Sequence, residues 1–339
     1  MRYRRLGRSG IEVSVLCLGA MMFGDQTDEA DALRIVSQAR DAGVNFLDTA
    51  DAYAGGASER ILGKALKGER DRWIVATKVG TRLPPAAPNR GGCGKLWLLR
   101  GAEESLARLK LDHIDLYYLH LDDLETPLEE TVGAIGDLLQ AGKIRHWGVS
   151  NFRGWRIAEI VRLCDAAGVA RPVAGQPYYN AMNRMPEVEY IPACAHYRIG
   201  VVPYSPLARG VLTGKYAPAQ PPDAATRAGR NDKRMMETEF RDESMLIAAE
   251  IKRHAEAKGR TAIGFAVNWV LANPHVSAVI AGPRTEAQWA TYLAAVEEGF
   301  DAEDEAFVDR FVRPGHPSTP GYTDPLYPVV GRPAPFIRA

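Results

Sequence analysis

Four side chains in the first 120 residues could together run proton chemistry: Asp48, Tyr53, Lys78 and His120. A phenol titrates near ~10 and exchanges no proton at neutral pH unless a neighbouring cation helps. A lysine supplies that cation, and a carboxylate beside the lysine keeps it charged. An imidazole close by can orient an oxygen on which negative charge develops. Singly, each residue has an ordinary explanation. His120 suits a core histidine donating to a backbone carbonyl, Lys78 a rim lysine whose stem lies on apolar surface, and Tyr53 a surface aromatic. Asp122 and Asp123 beside His120 raise a metal site, but the three share one short loop without ligand spacing, so none is expected.

Their joint meaning depends on the elements that carry them. Val44–Thr49 is a short apolar run ending on Asp48, Trp73–Lys78 closes on the lysine, and Ile114–His120 closes on the histidine; each reads as a buried strand. Val13–Ala20, Trp147–Asn151, Val173–Gln176, Ile199–Tyr204 and Val276–Ile280 read the same way, with Tyr3–Ser14 a hairpin before them. Helical periodicity falls between the strands, at Asp28–Ala42, Ser58–Lys67, Leu99–Leu109, Pro127–Gln140, Trp155–Ala167, Pro186–Tyr197, Ser244–Lys258, Thr261–Leu271, Thr285–Glu297 and Ala302–Val312. Ser58 is the expected N-cap of its helix, with Glu59 in the first turn. Leu83–Lys95 and Ala217–Asp242 read as loops.

Eight strands interleaved with helices predict one (β/α)8 barrel over 1–339. Its core covers about 5–300, with an N-terminal hairpin, extra helices and an extended tail over 314–339 that holds seven prolines. A doubly wound sheet is the alternative, but no Gly-x-Gly-x-x-Gly follows a strand, and Gly210–Lys215 has the wrong length and ending for a Walker loop. In a barrel all C-terminal strand ends open on one face. There Asp48, Tyr53, Lys78 and His120 meet Ser150, Asn151, Gln176, Tyr204, Ser205, Gly282 and Arg284. Lys78 and His120 close otherwise apolar strands, a costly placement unless the groups are paired or used.

Composition narrows the classes. The 339 residues carry 42 basic and 42 acidic side chains, are 46% hydrophobic, and have zero formal charge, which argues against nucleic-acid and membrane-surface binders. Cys17, Cys93, Cys164 and Cys194 lack paired or metal spacing and read as reduced thiols of a cytoplasmic protein. Arg2, Arg4, Arg5 and Arg8 before the apolar Val13–Phe23 imitate a short signal peptide, but Glu12 interrupts the junction and no small-residue cleavage site follows. No stretch approaches the ~20 apolar residues of a membrane span.

The residues resemble the aldo-keto reductases from about Arg5 to Glu297. The resemblance is carried by Leu18-Gly19-Ala20-Met21-Met22-Phe23-Gly24, Asp48-Thr49-Ala50-Asp51-Ala52-Tyr53, Ser58-Glu59-x-x-Leu62-Gly63 and Thr77-Lys78. It continues through Ser105-Leu106-x-Arg108-Leu109, Asp115-Leu116-Tyr117-x-x-His120, Gly148-Val149-Ser150-Asn151-Phe152, Gln176-x-x-Tyr179-Asn180, Pro203-Tyr204-Ser205-Pro206-Leu207-x-x-Gly210 and Gly282-x-Arg284. The pattern is most similar to the branch of bacterial general reductases, aryl-alcohol dehydrogenases and potassium-channel β subunits.

That resemblance implies NADPH-dependent reduction of an aldehyde or ketone without metal. Tyr53 would be the general acid, Lys78 paired with Asp48 would ease its proton donation, and His120 would orient the carbonyl. Gly19 lies in the first matching motif. Ser150, Asn151 and Gln176 would hold the carboxamide, and Tyr204 would stack on the nicotinamide. Ser205, Leu207, Gly210 and Lys215 would strap the pyrophosphate, and Gly282, Arg284 and Gln288 would meet the 2′-phosphate end. Arg284 favours NADPH over NADH. Ser150 and Ser205 also suit ordinary helix-entry and turn positions. Where the branch usually continues with Glu-Asn, this chain has Thr291 and Tyr292, and Cys93-Gly94-Lys95 replaces a common Ser-Arg-Lys. Met22, Phe23, Trp97 and Tyr179 are the candidate pocket walls, each also suited to core packing. The basic residues of Ala217–Asp242 read as a solvated loop or a lid. The expected partner is a small carbonyl compound. A cofactor-binding regulatory subunit, or an enzyme running mainly as an alcohol dehydrogenase, is the alternative.

Overall fold

A computed structural model describes residues 1–81, 87–329 and 331. Residues 82–86 of the Leu83–Lys95 loop, and Val330 and 332–339 of the tail, lie outside the described residues. An antiparallel hairpin, β1 (Tyr3–Arg5) with β2 (Glu12–Ser14), precedes eight parallel strands: β3 (Leu16–Gly19), β4 (Phe46–Asp48), β5 (Ile74–Val79), β6 (Ile114–Leu119), β7 (Ile144–Ser150), β8 (Ala174–Gln176), β9 (Gly200–Val201) and β10 (Val279–Ala281). The pairing runs β10-β3-β4-β5-β6-β7-β8-β9. The ring closes where Val201 pairs with Val276 and the Ser277 amide donates to the Val201 carbonyl at 2.8 Å. The chain is thus a (β/α)8 barrel.

The helices α1 (Glu29–Asp41), α2 (Ala57–Ala65), α3 (Lys95–Leu109), α4 (Leu128–Gln140), α5 (Gly154–Ala167) and α6 (Tyr190–Tyr197) follow β3 to β8 in turn. Between β9 and β10 lie α7 (Lys233–Thr238), α8 (Asp242–Ala257) and α9 (Ala262–Ala272); α10 (Glu286–Ala295) and α11 (Ala302–Asp309) complete the set. No described helix is long and apolar enough to cross a membrane.

Period-2 alternation sorts the strand residues. Cys17, Phe46, Ala76, Leu116, Tyr118 and Ala174 point into the barrel and form one buried cluster, closed at its N-terminal end by Leu6 and Val13 of the hairpin. Their neighbours Leu18, Leu47, Val75, Tyr117 and Val149 point outward and pack with the helices in a second, larger cluster. Each of these short apolar strands therefore has both faces covered, as a parallel sheet requires.

Four expectations change. The run Val13–Ala20 is divided at Val15 between the hairpin and the barrel. The segment Pro186–Tyr197 splits into a single 3-10 turn, Met185–Glu187, and α6, because the Glu187 carboxylate is held by Arg184 and Tyr179. Ala217–Asp242 contains the short α7, capped by the Asp232 side chain accepting from the Met235 amide. Ser58 is not an N-cap: α2 begins at Ala57, after left-handed Gly56 at φ 83°. Ser58 instead donates to the Ala20 carbonyl and bonds Thr49, each at 2.7 Å, tying α2 to two strand ends.

Candidate active site

The same alternation delivers the reactive groups. Asp48 lies two residues beyond inward-facing Phe46, Lys78 two beyond Ala76, His120 two beyond Tyr118, and Gln176 two beyond Ala174. All four side chains therefore project from the C-terminal rim toward the barrel axis. Asp48 is in register with Ala76 of the next strand, so Lys78 reaches back across to it.

The Lys78 ammonium is wholly buried and donates to Asp48 Oδ1 at 2.5 Å, to the Thr49 carbonyl at 2.8 Å and to the Tyr53 hydroxyl at 3.3 Å. The second Asp48 oxygen accepts the Gln176 amide at 2.9 Å. Burial works against the ammonium, but Asp48 and Tyr53 outweigh it and hold the Lys78 pKa above its usual value. Tyr53 follows the opposite balance. Burial raises its phenol, Lys78 pulls it down, and the net direction is upward. The phenol is thus protonated at neutral pH, with a cation beside the oxygen that would carry the phenolate charge. Lys78 thus eases proton loss without bringing the phenol below its usual value, because desolvation of the half-buried hydroxyl exceeds the pull of one already paired ammonium.

Local backbone aims Tyr53. Ala54, Gly55 and Gly56 are all left-handed, at φ 48°, 59° and 83°, and turn the chain sharply into α2. Behind the strands, Thr77 donates to fully buried Glu59 at 2.6 Å, and Glu59 pairs with Arg108 at 2.5 Å, fixing α2 and α3 against β5. His120 packs edge-to-face on Tyr53 at 5.8 Å between ring centroids. Burial, then the Lys78 charge, push His120 down to about 3, so it is a neutral imidazole, with Nδ1 at 3.1 Å from the Thr81 hydroxyl. Asp122 and Asp123 are engaged elsewhere, Asp122 by Arg156 and Asp123 by the Cys93 amide and Thr126.

A cavity of about 700 Å³ opens over this group. Asp48, Tyr53 and His120 line it, whereas Lys78 lies behind them, touching no free space. Gly19, Ser150, Asn151, Gln176, Tyr204 and Ser205 continue the wall, and Leu207, Gly210, Lys215, Gly282, Arg284 and Gln288 carry it to the far end. Asn151 accepts from the Tyr204 hydroxyl at 2.9 Å and donates to Ser150 at 2.9 Å, which fixes the Tyr204 ring. A Cβ on Gly19 would stand 2.7 Å from Ile280, so a larger residue there is excluded from the floor.

Of the candidate pocket walls, only Met22 faces the cavity. Phe23 is completely buried in the helix–barrel core. Tyr179 packs on Trp269 at 5.0 Å and donates to Glu187. Trp97 lies in the α3 core with Arg90 over its ring. In each case an apolar helix face outside the barrel claimed the aromatic. The wall is completed instead by Met21, by Arg209, Arg227, Arg230 and Arg234 of the β9–α8 connection, and by Leu326 and Tyr327 of the tail. Asp324 pairs with Arg234 at 2.7 Å, and Arg153 donates to the Tyr327 and Pro328 carbonyls at 2.9 Å, seating the tail over the mouth. Sequence signals for these were weak: arginines in a polar stretch read as solvated, and a proline-rich tail has no partner until the barrel exists.

Tyr178 stacks on Tyr204 at 5.7 Å and donates to Glu239, which is fully buried with one oxygen that has no hydrogen-bond partner among the described residues. Burial drives the Glu239 carboxyl up to about 8 despite Arg241. The folded state therefore holds a proton that an unfolded carboxyl near 4.5 releases, so stability falls as pH rises from about 5 through about 8. Glu239→Gln is expected to flatten that decline, on the order of a few kcal/mol, in thermal unfolding followed across the interval. An unchanged decline in the variant would assign it to other groups.

Lys215, Arg230 and Arg284 line the far half of the cavity, and none has a carboxylate partner among the described residues. Unneutralised cations beside Gly210, whose φ of 101° lets backbone approach a ligand closely, fit the phosphates of a dinucleotide.

The model of the aldo/keto reductase family matches residues 15–313. The chain is 36% identical over 335 residues to an uncharacterized oxidoreductase, YrpG, of Bacillus subtilis strain 168, covering 95% of this chain and 99% of that one. It is 35% identical over 302 residues to a probable voltage-gated potassium channel subunit beta of Arabidopsis thaliana, covering 88% and 92%. A putative channel β subunit of Schizosaccharomyces pombe is 33% identical over 311 residues, covering 87% and 88%. With a matching barrel, an Asp–Lys–Tyr–His cluster at its C-terminal face and a family match over most of its length, this chain belongs to the aldo/keto reductase family.

Proposed function

We propose that the protein is an NADPH-dependent oxidoreductase that reduces an aldehyde or ketone to the alcohol. The observation that carries this reading is the buried Lys78 ammonium 3.3 Å from the Tyr53 hydroxyl and 2.5 Å from Asp48. A cation so placed has little structural need for a phenol, since Asp48 and the Thr49 carbonyl already satisfy it. It does stabilise the phenolate left when Tyr53 gives up its proton.

NADPH bound along the cavity would supply the hydride. Gly19, Ser150, Asn151, Gln176 and Tyr204 would position its nicotinamide end, Ser205, Leu207, Gly210 and Lys215 its pyrophosphate, and Gly282, Arg284 and Gln288 its adenosine end. Tyr53 would donate its proton to the carbonyl oxygen. Neutral His120 would donate a hydrogen bond to the same oxygen, stabilising the developing charge without competing for the proton. Met22 and Tyr327 would flank the substrate. Run backward, the same groups serve alcohol oxidation.

Arg284→Ala is expected to weaken NADPH by roughly 10- to 100-fold, the value of one charge-assisted bond to phosphate. NADH should change less than about threefold. Fluorescence titration with both cofactors measures it, and equal losses would remove Arg284 from the 2′-phosphate site.

The names of the channel-subunit relatives favour a second reading, in which cofactor binding rather than turnover is the output. A panel of aromatic, sugar-like and dicarbonyl aldehydes with NADPH separates the two. Cofactor oxidation supports the enzyme; tight NADPH binding with no turnover on any of them supports the binding subunit.

A further inference from the structure

One buried carboxyl outside the reactive cluster reaches the cavity wall by two routes. Glu239, just after α7, is wholly buried and does not itself line the cavity. Its Oε1 accepts the Tyr178 hydroxyl and, at 3.4 Å, the Asn180 side-chain amide. Tyr178 stacks on the Tyr204 ring and forms an isolated bridge with its backbone. Asn180 donates to the Ser205 carbonyl at 3.0 Å and so holds a residue whose φ of 59° few side chains adopt. A single oxygen thus gathers the supports of two consecutive residues of the wall. The charged groups around the other oxygen are engaged elsewhere. Arg241 donates to Ser318, Thr319 and the Thr238 carbonyl and lies over Tyr322, Arg209 donates to Thr238, and Asp324 pairs with Arg234. No ion pair reaches Glu239 among the described residues, so the carboxyl is at rest only when protonated, in keeping with its rise to about 8. Once ionised it needs water or a cation, and it meets neither until the α7–α8 junction shifts and releases Tyr178 and Asn180.

We propose that Glu239 is a positioning residue for the nicotinamide half of the cofactor site, acting through Tyr178 on Tyr204 and through Asn180 on Ser205. The inference rests on the NADPH reading above and adds to it a support from outside the cavity. The neutral carboxyl holds the Tyr204 ring and the Ser205 turn in place before the cofactor arrives, and ionisation of the same group lets both go. Glu239 touches neither cofactor nor substrate, so its effect falls on the half of the cofactor that these two residues meet.

Titration of the full-length protein with NADPH and with 2′,5′-ADP, which lacks the nicotinamide nucleotide, tests this. Glu239→Leu should weaken NADPH by about 10-fold near pH 7, as expected for one or two lost hydrogen bonds, and leave 2′,5′-ADP within about twofold. Glu239→Gln keeps the acceptor and should restore NADPH to within about threefold of wild type. Between about pH 7 and about pH 9 the wild type should lose roughly 10-fold in NADPH affinity and little for 2′,5′-ADP, and Glu239→Gln should show no such decline. A fluorotyrosine resonance of Tyr204, assigned through Tyr204→Phe, gives a readout that needs no cofactor. It should shift or broaden over the same interval in the wild type and stay fixed in Glu239→Gln. Equal losses for NADPH and 2′,5′-ADP in Glu239→Leu, no loss, or a Tyr204 resonance whose pH dependence survives in Glu239→Gln would overturn the inference. Should the wild type bind neither ligand, the cofactor reading falls, and the Tyr204 resonance alone decides whether Glu239 sets the position of that ring.

Discussion

Tyr53→Phe is expected to lower turnover of any accepted aldehyde by about 10²–10⁴-fold while leaving NADPH affinity within about threefold. The substitution removes one oxygen and little else. The ring keeps its edge-to-face packing on His120, and the Lys78 ammonium loses a partner at 3.3 Å while retaining Asp48 and the Thr49 carbonyl. Fold and cofactor site should therefore persist, so the loss of rate isolates proton donation. Single-turnover oxidation of bound NADPH, beside a titration of the variant, measures the two quantities. Retention of more than a tenth of the wild-type rate would assign the proton to another donor.

Lys78→Met should have the largest effect on the molecule as a whole. Its removal leaves the Asp48 carboxylate, 3% exposed, with only the neutral Gln176 amide as a side-chain partner among the described residues. Breaking one side of a buried pair costs about 3–5 kcal/mol, well beyond most single substitutions. Turnover should fall as well, since no cation remains for the Tyr53 phenolate. The double variant Asp48→Asn, Lys78→Met separates the two roles. With both charges gone, much of the stability should return, because a neutral replacement of a buried pair is often tolerated. The activity should not return. Recovery of both together would mean that Lys78 serves only the fold.

Much of this arrangement was legible in the chain itself. Strands that must be apolar on both faces leave few places for charge, so Asp48, Lys78 and His120 at strand termini stood out, and a barrel opens all its C-terminal strand ends on one face. Aromatic residues were less legible. Phe23 and Tyr179 lie within matching motifs and Trp97 follows a segment that departs from the pattern, yet all three are taken by the helix–barrel core. Any large apolar side chain near the rim can turn toward the cavity or toward a helix, and local pattern does not distinguish the two. Ser58 likewise carried a capping signal, but the left-handed run at Ala54–Gly56 moved the helix start and freed its hydroxyl for Ala20 and Thr49.

By itself the sequence determined the alternation of strand and helix, and hence a barrel whose reactive ends share one rim, because hydrophobic periodicity is a local property of consecutive residues. It also determined the residue types at those ends. The tertiary structure alone decided what faces the cavity beyond them: the Asp324–Arg234 pair that seats the tail, the hydrogen bonds of Gln26 to Arg230 and of Thr27 to the Arg284 backbone, and the burial that outweighs Lys78 at Tyr53. Those depend on contacts between residues up to 257 positions apart and on how much water each group loses, and neither is a property of any short stretch of chain.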